Sequence, residues 1–318
     1  HTRCSRDWSS DVCSSDLVFH NELQIDPKDH RVLLTEVPRH PKANREINTV
    51  VMFETFECPA MAFRIGAVLG LFPTATTTGA VLDCGDGATH SMLVYEGYSL
   101  PHSIYQIEFG GRRLTDYLVK ILMERGCPFS TSTKAASLEA YARASEIKEK
   151  YGYVALDFEE EMEKSVNASL LYEKEYMLPS GETIRVGNER FRCAEGLFQS
   201  SFVLDIPDYL ADFTSCGIHE LIYNSIMKSD HDIRRDVYNN IVLCGGSTMF
   251  PGLTDRLQKE LVNLAPPQFK VRVVAPPVRR FGPWLGGSIL ASMSSNIWLT
   301  KALYEEEGPP VVHKVCIS

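Results

Sequence analysis

Gly79-Ala-Val-Leu-Asp-Cys-Gly-Asp-Gly-Ala-Thr-His90 is the stretch on which the reading of this chain turns. Ala80-Val-Leu82 is a short unbroken apolar run of the kind carried by a strand buried on both faces, and residues 88–95 resume an extended pattern after Asp86-Gly87. The two runs predict a hairpin with a glycine-rich tip. Gly85 and Gly87 permit backbone conformations and close approaches that a Cβ would block, so several N–H groups can converge there on an anion such as a phosphate. Asp83 ends the first strand, where a carboxylate can hold the water shell of Mg²⁺. By itself the pattern favours a plain turn, because Asp-Gly between two strands is the commonest hairpin signal.

The flanking segments predict layered α/β structure. Upstream, Asn48-Thr-Val-Val-Met-Phe53 reads as a strand, and Pro59 as the start of a helix with Met61, Ile65, Leu69 and Phe72 on one face. Downstream, Gly110-Gly111 opens a helix with Leu114, Leu118, Ile121 and Leu122 inward and Gly126 at its end. Residues 135–151 form a second helix, in which Lys148-Glu-Lys150 reads as a solvated face. Residues 153–167 read as another helix and 170–186 as two strands around Pro179-Ser-Gly181. Asn240-Ile-Val-Leu-Cys244 repeats the buried-strand pattern. Gly245-Gly-Ser-Thr-Met-Phe250 is a glycine-led turn, and Pro251 starts a helix with Leu253, Leu257, Leu261 and Leu264 on one stripe. A strand, a double glycine and a helix N-terminus make a second place for a ligand's polar groups. Lys270-Val-Arg-Val-Val274 reads as a strand and residues 286–293 as a buried helix. Leu204, Ile206, Tyr209, Leu210 and Phe213 lie on an irregular stretch that fits a local minicore or a contact surface equally well.

With 318 residues, 44% of them hydrophobic, the chain can bury a large core in two domains. A formal charge of −9 argues against a nucleic-acid-binding surface. The run of residues 65–72, bracketed by Arg64 and Pro73, is far below the roughly 20 residues of a membrane span, so no membrane insertion is expected. Asp7-Trp-Ser-Ser-Asp-Val-Cys-Ser-Ser-Asp-Leu17 is Ser/Asp-rich, has no periodicity and reads as an adapter-derived, disordered stretch outside the fold. Beyond it, Cys58, Cys84, Cys127, Cys193, Cys216, Cys244 and Cys316 are scattered without a Cys-x-x-Cys, which reads as reduced thiols.

Several segments in order, beyond the hairpin itself, carry a resemblance. Pro41-Lys-Ala-Asn-Arg-Glu46, Met52-Phe-Glu-Thr-Phe56, Tyr95-Glu-Gly-Tyr98, Leu114-Thr-Asp-Tyr-Leu118, Tyr153-Val-Ala-Leu-Asp-Phe158, Gly187-Asn-Glu-Arg-Phe-Arg-Cys193, Ser215-Cys-Gly-Ile-His-Glu220 and Gly286-Gly-Ser-Ile-Leu-Ala-Ser292 resemble the actin family, over residues 18–316. The resemblance implies the α/β ATPase fold of actins, sugar kinases and heat-shock chaperones, with two α/β domains around a nucleotide cleft. Residues 18–72 and 281–318 would belong to the first domain, the latter as a return to it, and residues 73–280 to the second. The family's first phosphate loop has no counterpart here, so the expectation is an N-terminally incomplete chain.

The resemblance also assigns roles. Gly85, Asp86, Gly87 and Ala88 would give N–H groups to the phosphates of ATP or ADP, and Asp83 would reach Mg²⁺ (or Ca²⁺) through water. His90 would help position the attacking water, making Asp83 and His90 the catalytic pair. Lys148 and Glu149 would lie beside adenosine, against the solvated-face reading. Gly245, Gly246, Ser247, Met249 and Phe250 would form the adenine and ribose turn, with Arg280 where actins place a lysine; the guanidinium keeps the charge and can stack on the base. Gly66 stands where actins carry a glutamine that orients water, so hydrolysis is expected to be weak and slow. Phe72, Ile289, Leu290 and Met293 match the apolar groove into which actin-binding proteins insert amphipathic helices. Residues 134–144 and 203–213 are longer than their family equivalents. The resemblance thus implies a cytoplasmic, cytoskeletal ATP-binding protein that self-associates into filaments, or, as the alternative, a non-filament actin-related subunit with ATP as a structural ligand.

Overall fold

A computed structural model of the chain describes residues 17–127, 129, 133–178, 181, 183–203, 216–293 and 296–316. In chain order the elements that matter here are β1 (Val32–Glu36), α1 (Lys42–Val50), β2 (Ala60–Ile65), α2 (Gly66–Leu69), β3 (Gly79–Cys84), β4 (Thr89–Tyr95), β5 (Tyr98–Ser99) and β6 (Tyr105–Ile107). They continue with α3 (Gly111–Glu124), α4 (Lys134–Tyr151), α5 (Phe158–Asn167), α6 (Ser169–Tyr172), β7 (Lys174–Met177), β8 (Thr183–Val186), α7 (Glu189–Glu195), α8 (Ile218–Met227) and α9 (His231–Tyr238). The last are β9 (Ile241–Cys244), α10 (Leu253–Leu264), β10 (Val273–Val274), α11 (Gly282–Met293), β11 (Leu299–Thr300), α12 (Lys301–Glu307) and α13 (Val312–Val315). The chain divides into two compact units, one of residues 1–65 with 291–318 and one of residues 66–290.

The first unit corrects two expectations. Residues 48–53 are helical, the end of α1 running on into a wider turn over Val51–Thr55. The β-branched pair Val50-Val51 suggested a strand, but Phe53 stacks on Tyr304 at 4.7 Å and the Tyr304 hydroxyl donates to Glu54 at 2.7 Å, so tertiary packing on one helical face overrides the local preference. The first part of the helix expected from Pro59 is instead β2, and only Gly66–Leu69 is α-helical. Residues 60–63 are all buried, because β2 is the middle strand of a three-stranded sheet, parallel to β1 and antiparallel to β11. A strand covered on both faces is apolar at every position, and such a run satisfies a helical stripe by accident.

The second unit is built on a six-stranded sheet in the order β10-β9-β3-β4-β5, with β6 also paired to β4. β3 is central, antiparallel to β4 and parallel to β9. Partners across a ladder share a face. Ala80, Leu82, Cys84, Leu93, Ile241 and Leu243 therefore face the main core with the inward stripes of α3, α8 and α10. The predicted stripe of α3 is fully buried, and Gly126 ends the helix region with φ +87°, as a glycine stop requires. In α10, Leu253, Leu257 and Leu261 are buried, whereas Leu264 at the last position is 37% exposed.

Smaller corrections concern boundaries. Only Phe158–Asn167 of residues 153–167 is helical, Asp157 capping it by accepting from the Glu160 N–H. The short helix α6 precedes the β7–β8 hairpin, where a strand was expected, and the strand expected over residues 270–274 is reduced to Val273–Val274. α11 buries Gly286 and Gly287 but leaves Trp284 72% and Met293 77% exposed, so it is not a buried helix. The apolar stretch of residues 204–213 lies outside the described residues, as does the adapter-like stretch but for Leu17. Among the described residues, no helix is long and apolar enough to cross a membrane.

Candidate functional site

β3 and β9 run parallel and end together, and the loops that leave them, Gly85-Asp-Gly-Ala88 and Gly245-Gly-Ser-Thr-Met249, sit at that shared carboxyl end. This is where open α/β sheets place ligands. Gly245 fits only as glycine: its φ is +89°, and a Cβ would collide with the Cys84 carbonyl and lie 2.8 Å from Asp83 Oδ1. Ser247 then donates its hydroxyl to the Gly85 carbonyl at 2.7 Å, which ties the two loops.

The N-terminus of α3 docks on the same hairpin. α3 has no side-chain cap. Two of its N–H groups, which a helix start leaves without intrahelical partners, are instead donated by Gly111 to Gly85 O at 3.0 Å and by Arg112 to Asp86 O at 2.9 Å. Gly110 makes the approach possible, since a Cβ there would be 2.6 Å from Gly85 O. Arg112 also pairs with the Asp86 carboxylate at 3.2 Å in the open.

Turned toward α3 and Ser247, the hairpin carbonyls leave the tip amides on their own. Gly85 N–H donates to Ala88 O at 3.1 Å, closing the turn, and the successive N–H groups of Asp86, Gly87 and Ala88 have no protein acceptor among the described residues. Neither Gly85 nor Gly87 adopts a positive φ. Gly87 matters through space: nothing lies within 4 Å of the Cβ it lacks, and the same holds for Gly246.

On the face of the sheet away from the main core, His90, Asp83 and Cys244 form a row across β4, β3 and β9, paired Asp83 with His90 and Asp83 with Cys244. Asp83 has no ion-pair or hydrogen-bond partner among the described residues, and burial alone raises its carboxyl above the ordinary 3.8. His90 is buried; Gln106, opposite it on β6, hydrogen bonds to it, and among the described residues Nε2 has no partner. Burial lowers its pKa, so the imidazole is neutral at neutral pH. Gly66 sits by this row: a Cβ there would be 3.7 Å from Pro283 and 4.0 Å from Asp83 Oδ2, ordinary contacts.

Lys148 is buried, which overturns the solvated face for this residue and leaves it to Glu149 and Lys150. Its ammonium donates to Gly111 O and to Thr115 Oγ1, both at 2.7 Å, and burial lowers its pKa despite nearby Asp86, Glu149 and Asp116. Phe250 packs against Gly152 at the end of α4, where a Cβ would be 2.6 Å from its ring, while Met249 and Arg280 are exposed, the latter over the Phe281 ring at 5.7 Å. Hence Asp83, His90, the hairpin tip, Lys148 and Gly245 to Ser247 converge through direct contacts or register. Phe250 borders them through α4. Glu149 joins only by sequence adjacency and a 3.5 Å contact from Ser145.

Sequence reasoning missed two supports. Arg279 donates to Thr248 O at 3.0 Å and to Pro276 O at 3.1 Å, and its own carbonyl accepts from Gly245 N–H at 3.1 Å, so it staples the second loop. Thr115, wholly buried, stood in the sequence only inside the Leu114-Thr-Asp-Tyr-Leu118 segment and outside the apolar stripe. In a cavity of about 390 Å³ elsewhere in this unit, the wall residue Arg125 is already paired with Glu173 and Glu189.

Three unengaged amides, open space over two glycines and an unpaired half-buried carboxylate fit a phosphate-bearing anion with a hydrated divalent cation. Among the described residues there is no cluster of side chains that would hold a metal directly. Comparison with family profiles matches residues 6–317 to Actin. The mixed α/β architecture and this match together show that the chain belongs to the actin family, with its ATPase-type fold.

Proposed function

We propose that the chain binds ATP or ADP with Mg²⁺ at the Gly85–Ala88 and Gly245–Phe250 loops, assembles with copies of itself into cytoskeletal filaments, and hydrolyses ATP slowly. The observation that carries this reading is the run of three amides at Asp86, Gly87 and Ala88 without an acceptor, beside an Asp83 carboxylate that burial penalises and that nothing among the described residues neutralises. Asp86, Gly87 and Ala88 would hold phosphate oxygens, Asp83 the water shell of the cation, and the Gly245–Phe250 turn with Lys148, Glu149 and Arg280 the nucleoside. Bound nucleotide and cation supply the scissile phosphoanhydride and the charge neutralisation. His90, neutral and with Nε2 free, can hold a water or take a proton at that atom.

Gly66 favours a slow rate, and with it the second reading, a subunit that retains nucleotide as a structural ligand. Gly66 has no side chain, and the Cβ it lacks would be 4.0 Å from Asp83 Oδ2, so this position supplies no amide to orient a water there. Leu290 and Met293 on α11 remain the proposed contact for amphipathic partner helices, Met293 being largely exposed. The test is to purify the protein in Mg²⁺, denature it and quantify the released nucleotide, then to pellet it at high speed with ATP. Stoichiometric adenine nucleotide supports the site; none would reject it. Nucleotide-dependent pelleting selects the filament reading over the structural-ligand one.

A further inference from the structure

We propose that Thr115 is a positioning residue: with Lys148 it clamps the N-terminal turn of α3, and through that turn it fixes the phosphate hairpin. This rests on the nucleotide reading above, and it changes the role of Lys148 within it. Two of the three ammonium protons are already engaged, at Gly111 O and at Thr115 Oγ1, each at 2.7 Å. Thr115 in turn donates to Gly111 O at 2.9 Å, so both side chains converge on one carbonyl in the first turn of α3.

The same residue, Gly111, is the hub on its other side. Its N–H donates to Gly85 O, and the Cβ it lacks would be 2.7 Å from Ser247 Oγ, 3.4 Å from Asp86 Oδ1 and 3.4 Å from Lys148 Nζ. A displacement of that turn is therefore a displacement of the carbonyls of Gly85 and Asp86, and with them of the three tip amides. Tyr141, about two turns before Lys148 on α4, also lies against Thr115, so α4 meets α3 at two points. A buried ammonium left with one partner moves or draws in water. Thr115→Val keeps the shape and removes the acceptor.

The test compares wild type, Thr115→Val, Thr115→Ser, Lys148→Met and the Thr115→Val/Lys148→Met double variant. Two readouts are taken: hydrogen–deuterium exchange of the peptide spanning residues 85–88 without nucleotide, and affinity for Mg·ATP. Thr115→Val is expected to speed exchange at residues 85–88 several-fold, with α8 and α9 peptides unchanged, and to weaken Mg·ATP about tenfold. Thr115→Ser should restore both, and the double variant should be no worse than Lys148→Met alone. Wild-type exchange at residues 85–88 in Thr115→Val would overturn the clamp, as would faster exchange spread over every peptide. Absence of Mg·ATP binding by wild type would instead reject the nucleotide site, while the exchange comparison still decides the clamp.

Discussion

Adjacent glycines in the second loop should respond to the same substitution in opposite ways. Gly245→Ala places a methyl at φ +89°, 2.5 Å from the Cys84 carbonyl carbon and 2.8 Å from Asp83 Oδ1. At φ +89° and ψ 153°, a region that essentially only glycine adopts, an alanine costs about 1–3 kcal/mol, and forcing a methyl into filled space about 1–3 kcal/mol more. The variant should thus lose roughly 2–6 kcal/mol of unfolding free energy, before any ligand is considered. Gly246→Ala and Gly87→Ala add a methyl to open space at ordinary φ, so their unfolding free energies should stay within about 0.5 kcal/mol of wild type or rise slightly. If that open space receives the ligand, the same methyls should weaken Mg·ATP by about ten- to a hundredfold. Urea unfolding without nucleotide and calorimetric titration with Mg·ATP separate the two effects. The reasoning fails if Gly87→Ala destabilises the empty protein as much as Gly245→Ala does, or if it binds like wild type.

Asp83→Asn should stabilise the empty protein and abolish its response to Mg²⁺. Because the folded state raises the carboxyl pKa, the favourable protonated state is present below about 3.8 and is lost as pH rises through the folded pKa, so the asparagine variant should gain most at neutral pH in unfolding experiments. His90 has the opposite sign: burial lowers its pKa below 6.5, so its contribution is present above that value and lost as pH falls through the folded pKa. His90→Gln should flatten part of the acid limb of stability between about pH 7 and 5, His219 supplying another part through the same burial effect, and should slow phosphate release. Gly66→Gln should fold, since the Cβ has ordinary contacts, and should raise the rate of phosphate release measured with ATP; an unchanged rate counts against the missing amide as the cause of slow turnover. Arg279→Met should cost about 2–3 kcal/mol in thermal or urea unfolding by freeing Thr248 O and Pro276 O, and should weaken ATP binding in proportion to the loosened second loop.

The hairpin was legible because its signals agree. Ala80-Val-Leu82 can be buried on both faces only in a central strand, and Asp86-Gly87 marks the turn. The amphipathic helices α3 and α10 were legible from their leucine stripes for the same reason. Residues 48–53 and 60–65 were exchanged, helix for strand, because what decides them is distant: Tyr304 packing on Phe53, and β1 and β11 flanking β2. Periodicity carries no information where every position is apolar. In the site, the glycines and Asp83 could be named from local chemistry, and Lys148 only from resemblance, since a lysine that opens a Lys-Glu-Lys run on a helix ordinarily faces water. Thr115 and Arg279 left no local trace; Thr115 acts through Lys148 on α4, from whose ammonium it accepts a hydrogen bond, and Arg279 through the Thr248 carbonyl, each partner distant in sequence.

Central to the account is the claim that the amides of Asp86, Gly87 and Ala88 receive the phosphates. Hydrogen–deuterium exchange of the wild-type protein with and without saturating Mg·ATP measures this directly. The account predicts strong protection of the peptides covering residues 85–88 and 245–250, with little change in β7–β8. Binding of Mg·ATP that leaves residues 85–88 exchanging as in the empty protein would contradict it.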